Sequence, residues 1–283
     1  MPELPEVETV RRGLAPYLEG ATIANVTLKR SDLRFPFPDR FARRLKGAAI
    51  LRADRRAKYL LFHLSNNEVL IIHLGMSGRL RIERSKLTQS PGDFYDSTPA
   101  STKHDHVVID LQAQGRLIYN DARRFGFMEL IAANDIEKRF EDLGLEPLSA
   151  ALNGKSLKKL FENKKVAIKL ALLDQSLIAG IGNIYACEAL FDAKVSPKKA
   201  AGKISLKESE WLSAAVKKVL KKAIKYGGST LRDFHDADGK SGEFQNRFNV
   251  YDRKGQPCPQ CKTPIERMTQ GGRSTFYCPR CQR

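Results

Sequence analysis

The amino-terminal half of the chain alternates short apolar runs with polar or turn-forming residues, a pattern typical of antiparallel sheets. One helix precedes these runs, from Thr9 to Leu18, because Val10, Leu14 and Leu18 recur on one helical face. The runs predict strands at Ala24–Leu28, Ala49–Leu51, Tyr59–Leu64, Val69–Leu74, Leu80–Ile82, His106–Leu111, Leu117–Tyr119 and Phe127–Ile131. We therefore expect an antiparallel β-sandwich with an N-terminal helix.

After about Asn134 the apolar positions change to helical spacing. Helices are predicted over Leu157–Phe161, Ala167–Leu173, Ile184–Phe191 and Leu206–Tyr226. The last has the clearest apolar stripe, and Gly227-Gly228 ends it. The chain is thus predicted to be an α+β protein of two domains. Residues 84–103 are predicted to form a mobile loop, and residues 229–255 a long loop that contacts substrate.

Four of the five cysteines lie close together near the end of the sequence: Cys258, Cys261, Cys278 and Cys281, spaced C-x₂-C-x₁₆-C-x₂-C. This spacing is typical of zinc sites, in which two tight turns and the hairpin between them bring four thiolates to one tetrahedral ion. Four cysteine ligands leave no open position, so the zinc ion would be structural. Two disulfides are the weaker alternative, because the chain is long, lacks a secretory signal and has a leftover Cys187.

Composition indicates the class of partner. The chain has 49 Lys and Arg against 32 Asp and Glu, a net charge of +17, and 42% hydrophobic residues. A folded protein this basic usually binds a polyanion, although net charge alone leaves a merely basic surface as an alternative. No apolar run approaches the roughly 18 residues that span a bilayer. We expect a cytoplasmic protein that binds nucleic acid and not membrane.

The first residues suggest a nucleophile. Removal of Met1 before a small residue would leave Pro2 at the N-terminus with a free secondary amine. An α-amino group has a pKa near ~8, well below lysine at ~10.4, and Schiff-base chemistry on a sugar carbon needs such an amine. The neighbouring Glu3 can carry protons. The alternative is an ordinary solvated chain end.

Gly180-Ile181-Gly182-Asn183 leads into a predicted helix, where exposed backbone N–H groups could receive a phosphate. The signal is weak by itself, because a glycine that packs one helix against another is commoner. It is not a dinucleotide-binding fingerprint, since Tyr185 stands where the third glycine would fall.

Seven motifs and the cysteine spacing converge on one family. The chain resembles the formamidopyrimidine-DNA glycosylases, bacterial enzymes that repair oxidised purines, over essentially its whole length. The motifs begin at Pro2, Arg55, His73, Lys103, Asp121, Gly180 and Arg273, and read PELPEVE, RRAKYL, HLGMSG, KHDH, DARRFG, GIGNIYA and RSTFYC. Ala122 departs from the proline common at that position, and the 84–103 loop looks long.

The resemblance implies a β-sandwich catalytic domain over residues 1–133, a linker or hinge over 134–152, a helical DNA-binding domain with a helix-two-turn-helix over 153–248, and a zinc hairpin over 249–283. It implies a monomer that binds double-stranded DNA containing oxidised purines or abasic sites. In the implied reaction, Pro2 attacks the sugar C1′ of a flipped nucleotide, expels the base and cleaves the strand by β,δ-elimination. Glu3 would relay protons and Lys58 would contact phosphate and assist proton transfer.

The resemblance also assigns DNA contacts. His104, Arg123, Lys164, Asn183 and Arg273 match phosphate-contacting positions, and Arg273 is grouped with the catalytic residues. Met76, Arg123 and Phe125 match residues that fill the space left by the flipped base, although Met76 and Phe125 would otherwise be read as core residues. We assign no metal to His104 and His106, because two histidines make a poor site.

Two other functions stay open. An endonuclease VIII-like enzyme of the same superfamily would excise oxidised pyrimidines; the PELP and NIYA motifs favour the purine branch. A non-enzymatic zinc-dependent DNA-binding protein would explain the charge and the cysteines. It would not explain Pro2 and Glu3 together with Lys58.

Overall fold

The computed structural model describes residues 2–83, 102–112, 115–229 and 242–283. The chain divides into two compact units, residues 1–140 with 227–243 and residues 141–226 with 244–283. The finer domain limits expected from the sequence stay a prediction. Most of the predicted loop over residues 84–103, and residues 230–241 of the predicted substrate loop, lie outside the described residues.

Unit 1 is a β-sandwich with a helix at its N-terminal end. Its elements are α1 (Leu4–Leu18), β1 (Ile23–Leu28), α2 (Phe41–Leu45), β2 (Ile50–Arg56), β3 (Tyr59–Leu64), β4 (Glu68–His73), β5 (Arg79–Glu83), a 3₁₀ turn (Thr102–His104), β6 (Asp105–Leu111), β7 (Gly115–Asn120), β8 (Phe127–Ala132), a 3₁₀ turn (Ala133–Asp135) and α3 (Ile136–Arg139). Two antiparallel four-stranded sheets have the orders β1-β6-β7-β5 and β2-β3-β4-β8. The predicted sandwich and all its strands are confirmed.

The sandwich core explains the strand pattern. Alternate residues of both sheets, such as Phe62 and Val107, pack with Leu14 of α1 in one buried apolar cluster. Helix α1 begins at Leu4 and not at Thr9 as predicted, because Glu6 caps the backbone N–H of Glu3 and extends the helix toward the chain end. Helices α2 and α3 are too short to show a helical period in the sequence, and neither was predicted.

Unit 2 combines helices with a hairpin. Its elements are α4 (Gly154–Leu160), α5 (Ile168–Leu173), α6 (Asn183–Asp192), a 3₁₀ turn (Ala201–Lys203), α7 (Leu206–Lys225), a 3₁₀ turn (Phe244–Arg247), β9 (Glu266–Gln270) and β10 (Arg273–Tyr277). The four predicted helices are confirmed to within a few residues. Helix α7 begins in a capping box between Ser205 and Glu208 and buries one apolar stripe.

Two apolar clusters stabilise unit 2. The larger joins α4, α5, α6 and α7. The smaller contains Cys187 and Phe191 of α6 together with Cys258 and Cys278, so Cys187 packs in the core as the sequence suggested. Among the described residues, no helix is both long enough and apolar enough to cross a membrane.

Candidate functional site

The N-terminus of α1 holds Pro2 and Glu3 in a buried position. Glu3 is the N-cap residue, and its backbone N–H donates to Glu6 Oε2 at 2.8 Å. The other oxygen of Glu6 accepts hydrogen bonds from Ser229, from the backbone N–H at 2.8 Å and from the hydroxyl at 3.0 Å. Glu6 therefore fixes the peptide that follows Pro2 and ties it to Ser229.

Lys58 lies in the tight turn between β2 and β3, beside Ala57, whose φ of 52° is left-handed. Its side chain is buried, with 8% exposed. Lysine side chains are rarely buried to this extent, so Lys58 is not an ordinary solvated lysine at the edge of a strand.

Glu8 of α1 binds β2, the strand that precedes Lys58. Its carboxylate accepts hydrogen bonds from Arg11 at 2.9 and 3.0 Å, from Arg12 at 2.7 Å and from Arg55 of β2 at 3.2 Å. Burial raises the pKa of Glu8, but the hydrogen bonds from Arg11 and Arg12 and the charges of Arg11 and Arg55 outweigh it. They lower the pKa from 4.5 to about 2.

Glu8 should therefore make the stability of unit 1 depend on pH. Because the folded pKa lies below the unfolded value, the stabilisation is complete above about pH 4.5 and is lost as the pH falls toward 2. Glu8→Gln should cost roughly 2–3 kcal/mol at pH 7. Urea unfolding of both proteins from pH 6 to pH 3 checks this. A difference that stays constant over that range would contradict it.

Met76 and Phe125 are exposed and lie on two loops of the sandwich. Met76 follows β4 and is 36% exposed; Phe125 lies between β7 and β8 and is 44% exposed. The guanidinium carbon of Arg123 stands 4.8 Å from the centre of the Phe125 ring, a cation–π distance. The interpretation of Met76 and Phe125 as core residues is therefore wrong, and all three side chains are available to a partner.

These two loops approach each other very closely. A Cβ atom on Gly75, which has a φ of +61°, would lie 2.3 Å from the backbone nitrogen of Gly126 and from the backbone carbon of Phe125. A Cβ atom on Gly126 would lie 1.8 Å from the hydroxyl of Tyr119. Neither position can hold a larger residue without moving backbone or a buried ring.

His73 ends β4 beneath the Met76 loop. Its Nδ1 accepts the backbone N–H of Gly75 at 3.1 Å, and its ring stacks on Phe127 at 5.2 Å. Burial and the nearby charge of Lys58 lower the pKa of His73 to about 4. The imidazole is therefore neutral at neutral pH and acts as a hydrogen-bond acceptor here.

His104 lies at the end of the 3₁₀ turn that precedes β6, and it is partly exposed. The next residue, Asp105, is anchored by two hydrogen bonds from Arg81 at 2.7 and 2.8 Å. The ring of His106 is 6.5 Å from that of His104, and its Nε2 lies 2.9 Å from the carbonyl oxygen of Asp121.

Unit 2 presents the remaining residues of the predicted interface. Helix α5, two turns and α6 form the expected helix-two-turn-helix, with Gly180 bound through its backbone N–H to Gln175 at 2.8 Å. The side-chain amide of Asn183, the first residue of α6, donates to the carbonyl oxygen of Ser274 at 2.9 Å. This places Asn183 beside Arg273. Lys164 lies in the loop between α4 and α5 and is partly exposed.

Arg273 is exposed at the tip of the β9–β10 hairpin. The turn contains Gly271 and Gly272, with φ of 53° and 71°, as a two-residue hairpin turn requires. Gln270 donates to the carbonyl oxygen of Pro197 at 3.1 Å, which ties the end of β9 to the segment that follows α6.

The four C-terminal cysteines form a metal site. Their sulfur atoms all lie within 4.8 Å of one another, with Cys258–Cys281 at 3.9 Å and Cys261–Cys278 at 3.4 Å. Tetrahedral zinc with bonds of about 2.3 Å needs sulfurs about 3.8 Å apart, whereas a disulfide needs about 2.05 Å. The donor set therefore fits zinc.

Several residues of this site received no role in the sequence analysis. They are Glu6, His73, Ser77, Asp121 and Ser229. Glu6, Ser77 and Asp121 bind the backbone of Glu3 or Arg123, which did receive a role, whereas His73 binds Gly75 and Ser229 binds Glu6. Four of the five lie inside the quoted motifs, so a signal was present. The sequence did not show that Ser77 binds Asp121 or that Glu6 binds Ser229, because these pairs join distant parts of the chain.

The comparisons with known proteins cover the whole chain. The family model of the formamidopyrimidine-DNA glycosylase N-terminal domain matches residues 1–128, that of its H2TH domain matches 143–235, and the zinc finger found in FPG and IleRS matches 255–283. With the cysteine geometry, the last match gives the chain one structural zinc ion.

Curated relatives agree. Proteins named formamidopyrimidine-DNA glycosylase from Chelativorans sp. and Caulobacter vibrioides are 52% and 51% identical, with both chains covered completely. A Lactococcus lactis FPG variant, solved with a Fapy-dG-containing DNA, has a TM-score of 0.87 at 34% identity and full coverage of both chains. The Thermus thermophilus MutM (FPG) structure has a TM-score of 0.84 at 39% identity, covering 99% of this chain and 98% of that one. The chain belongs to the formamidopyrimidine-DNA glycosylase family.

Proposed function

We propose that this protein is a DNA glycosylase and abasic-site lyase of base excision repair. It excises oxidised purines, such as 8-oxoguanine and formamidopyrimidines, from duplex DNA and then cleaves the strand. The observation that carries the proposal is the buried Pro2-Glu3 pair at the start of α1, in a chain that matches the family from end to end. The enzyme acts as a monomer in the cytoplasm, associated with the nucleoid through DNA.

The amine of Pro2 is the nucleophile. Once Met1 is removed, this nitrogen is a free secondary amine beside the N-terminus of α1. Its lone pair forms a bond to C1′ of the sugar as the bond from C1′ to the damaged base breaks. The amine then loses its proton, and the C1′–O4′ bond breaks as the ring oxygen O4′ takes up a proton, which leaves an iminium between C1′ and the Pro2 nitrogen. The iminium draws electrons from the opened sugar, so that C2′–H becomes acidic and the 3′ phosphate leaves by β-elimination. A second proton loss expels the 5′ phosphate by δ-elimination.

Glu3 and Lys58 assist this chemistry. Glu3 transfers protons at the sugar oxygen, and the capping bond to Glu6 fixes the backbone from which its side chain projects. Lys58 contacts phosphate and assists proton transfer. Both are buried, and a charged group acts most strongly where water is excluded.

The remaining residues bind DNA. His104, Arg123, Lys164, Asn183 and Arg273 contact phosphates, and the net charge of +17 attracts the polyanion. Met76, Arg123 and Phe125 fill the space left when the target nucleotide is flipped, in agreement with their exposure in unit 1.

Borohydride trapping tests the proposal. The reductant converts the iminium into a stable covalent bond, so the protein should become attached to a duplex that contains 8-oxoguanine. An undamaged duplex is the control. Attachment mainly to a duplex with an oxidised pyrimidine would favour the endonuclease VIII-like alternative. Binding without attachment to any duplex would leave only a DNA-binding protein.

Excision of oxidised pyrimidines should be measured separately. One structure of the Lactococcus lactis relative, with a TM-score of 0.86, is described as a complex with an oxidised pyrimidine containing DNA. A second, weaker activity on such lesions is therefore a further candidate for this chain. Single-turnover rates on both duplexes give the ranking.

Met76, Arg123 and Phe125, here called the wedge residues, should affect excision and not elimination. Flipping costs a few kcal/mol of stacking and pairing, and the side chain that enters the duplex offsets part of this cost. We expect Phe125→Ala to slow excision of a paired lesion about tenfold or more, while cleavage at a preformed abasic site changes little. Arg123→Ala should instead change the dependence on the opposite base, because its guanidinium can donate to base edges.

Single-turnover excision on paired lesions, beside cleavage of abasic duplex, makes this comparison. Trp211→Ala is a matched control, because this aromatic residue is also exposed, at 50%, but lies on α7 and not in the sandwich. Equal losses on both substrates would mean that Phe125 only supports the fold.

A further inference from the structure

Asp121 accepts hydrogen bonds from the two loops that carry the wedge residues, the loop with Met76 and the loop with Arg123 and Phe125. It is completely buried, with 0% exposed, just after β7. Its Oδ1 accepts the hydroxyl of Ser77 at 2.6 Å and the backbone N–H of Arg123 at 3.2 Å. Its Oδ2 accepts the backbone N–H of Gly126 at 2.9 Å and the hydroxyl of Tyr119 at 3.1 Å. One carboxylate thus binds the residue after Met76 and the residues on either side of the Arg124-Phe125 pair.

The backbone of Asp121 also binds the loop of His104, which is predicted to contact DNA like Met76, Arg123 and Phe125. Its N–H donates to the carbonyl oxygen of His104 at 3.0 Å. Its own carbonyl oxygen lies 2.9 Å from Nε2 of His106. A carbonyl oxygen can only accept, so Nε2 of His106 carries the proton. The loops of Met76, His104 and Phe125 therefore converge on Asp121.

Ser77 completes the connection. Its hydroxyl donates to Asp121 and at the same time accepts the backbone N–H of Arg123 at 3.1 Å. The hydroxyl is buried, as Ser77 is 6% exposed. Two residues earlier in the same loop, Gly75 packs closely against the backbone at positions 125 and 126. The two loops are consequently held by hydrogen bonds and by close packing together.

We propose that Asp121, acting with Ser77, is a positioning residue for extrusion of the target nucleotide. It holds Met76, Arg123 and Phe125 in one preformed arrangement before DNA binds. The proposal rests on the proposed function, because it assumes that these side chains enter the duplex. If the wedge residues are already ordered before DNA binds, little conformational entropy is lost when they enter the duplex. More of the binding free energy is then available for extrusion of the nucleotide.

A carboxylate suits this task better than a neutral group. A buried charge is costly unless several donors satisfy it, and here the donors come from the chain segments that must be brought together. Asp121→Asn keeps the shape but turns one acceptor into an NH₂ group that faces other donors. Ser77→Ala removes the bridging hydroxyl, while Ser77→Thr retains it.

The test compares two substrates. Ser77→Ala and Asp121→Asn should each slow excision from a paired lesion about tenfold or more, and change cleavage of an abasic duplex less than about threefold, since misplacement by an ångström can cost a hundredfold. Ser77→Thr should recover most of the excision rate. Ser213→Ala is the matched control, because Ser213 is also buried, at 5% exposed, but its hydroxyl donates to the carbonyl oxygen of Glu210 within α7, at 3.0 Å. Equal losses on both substrates would overturn the proposal.

A double variant separates positioning from general destabilisation. If Ser77 acts through the wedge, Ser77→Ala should add little to the loss caused by Phe125→Ala, whereas independent effects would multiply. Multiplying losses would overturn the proposal.

Amide hydrogen exchange of the free protein provides a readout without activity. Exchange at Arg123 and Gly126 should accelerate in Asp121→Asn and Ser77→Ala, while Leu70 and Ile72 of β4 keep their protection. Unchanged exchange at Arg123 and Gly126 would also overturn the proposal. Failure of the proposed function would look different, since the wild-type protein itself would then form no trapped adduct.

Discussion

A protein that retains Met1 is expected to bind lesion-containing DNA and to leave it intact. The retained residue converts the nitrogen of Pro2 into an amide, whose lone pair is delocalised into the carbonyl group and cannot attack a sugar carbon. We expect the excision rate to fall roughly a thousandfold or more, because the covalent route is lost entirely. Pro2→Gly should be intermediate, since it leaves a primary amine. Single-turnover excision of 8-oxoguanine, beside a binding assay on the same duplex, measures both effects.

The position of the adduct decides the assignment. After borohydride trapping and proteolysis, mass spectrometry should place the sugar on Pro2. Lys58 is the competing amine in unit 1, and Lys58→Ala should therefore still form an adduct, at a lower rate. An adduct on Lys58 in the wild-type protein would overturn the assignment of Pro2.

Cys258→Ser is expected to lose zinc and most of the affinity for DNA. Structural zinc typically contributes about 10–16 kcal/mol of apparent binding free energy, far more than a hairpin of this size can replace by packing. The hairpin tip carries Arg273, and its fixed position beside Asn183 depends on the folded hairpin. The sandwich should remain folded, because its apolar core contains none of the four cysteines.

Cys187→Ser is the matched control for the zinc prediction. Cys187 belongs to the same apolar cluster as Cys258 but is not one of the four clustered sulfurs. Its substitution should lower stability and leave one zinc ion per chain. Metal analysis and thiol titration of the pure proteins give the result. Wild-type protein without zinc, and with its cysteines paired as disulfides, would contradict the prediction.

The strands and helices could be predicted because each carries its own local signal. Strand β3 reads Tyr-Leu-Leu-Phe-His-Leu and is bounded by turns, and α7 buries one stripe over five turns. The start of α1 was missed because its signal is a capping bond between Glu3 and Glu6, not a period of apolar residues. The order of strands in the sheets depends on contacts between distant segments, which no single segment encodes.

Site residues, too, could be predicted only where the local sequence carries a specific signal. The spacing of the four cysteines was enough to predict a zinc site. The nucleophile could be predicted because Pro2 has a free amine once Met1 is removed. His104, Arg123, Lys164, Asn183 and Arg273 could be named only through the family resemblance, because a single exposed basic or polar residue carries no specific signal. Their roles stay a prediction. The partners of Asp121 come from positions 77, 119, 123 and 126, so only the folded sandwich reveals them.

The contact of Gly75 with the backbone at positions 125 and 126 limits how these loops can evolve. When two large side chains meet, a gain of volume at one can be offset by a loss at the other. Here one partner is already the smallest residue and the other is backbone, so no second substitution can restore the fit. Random mutagenesis should therefore recover no suppressor within these loops for a change at Gly75. Substitutions that the fold tolerates in these loops should fall at the exposed neighbours, Met76 and Phe125.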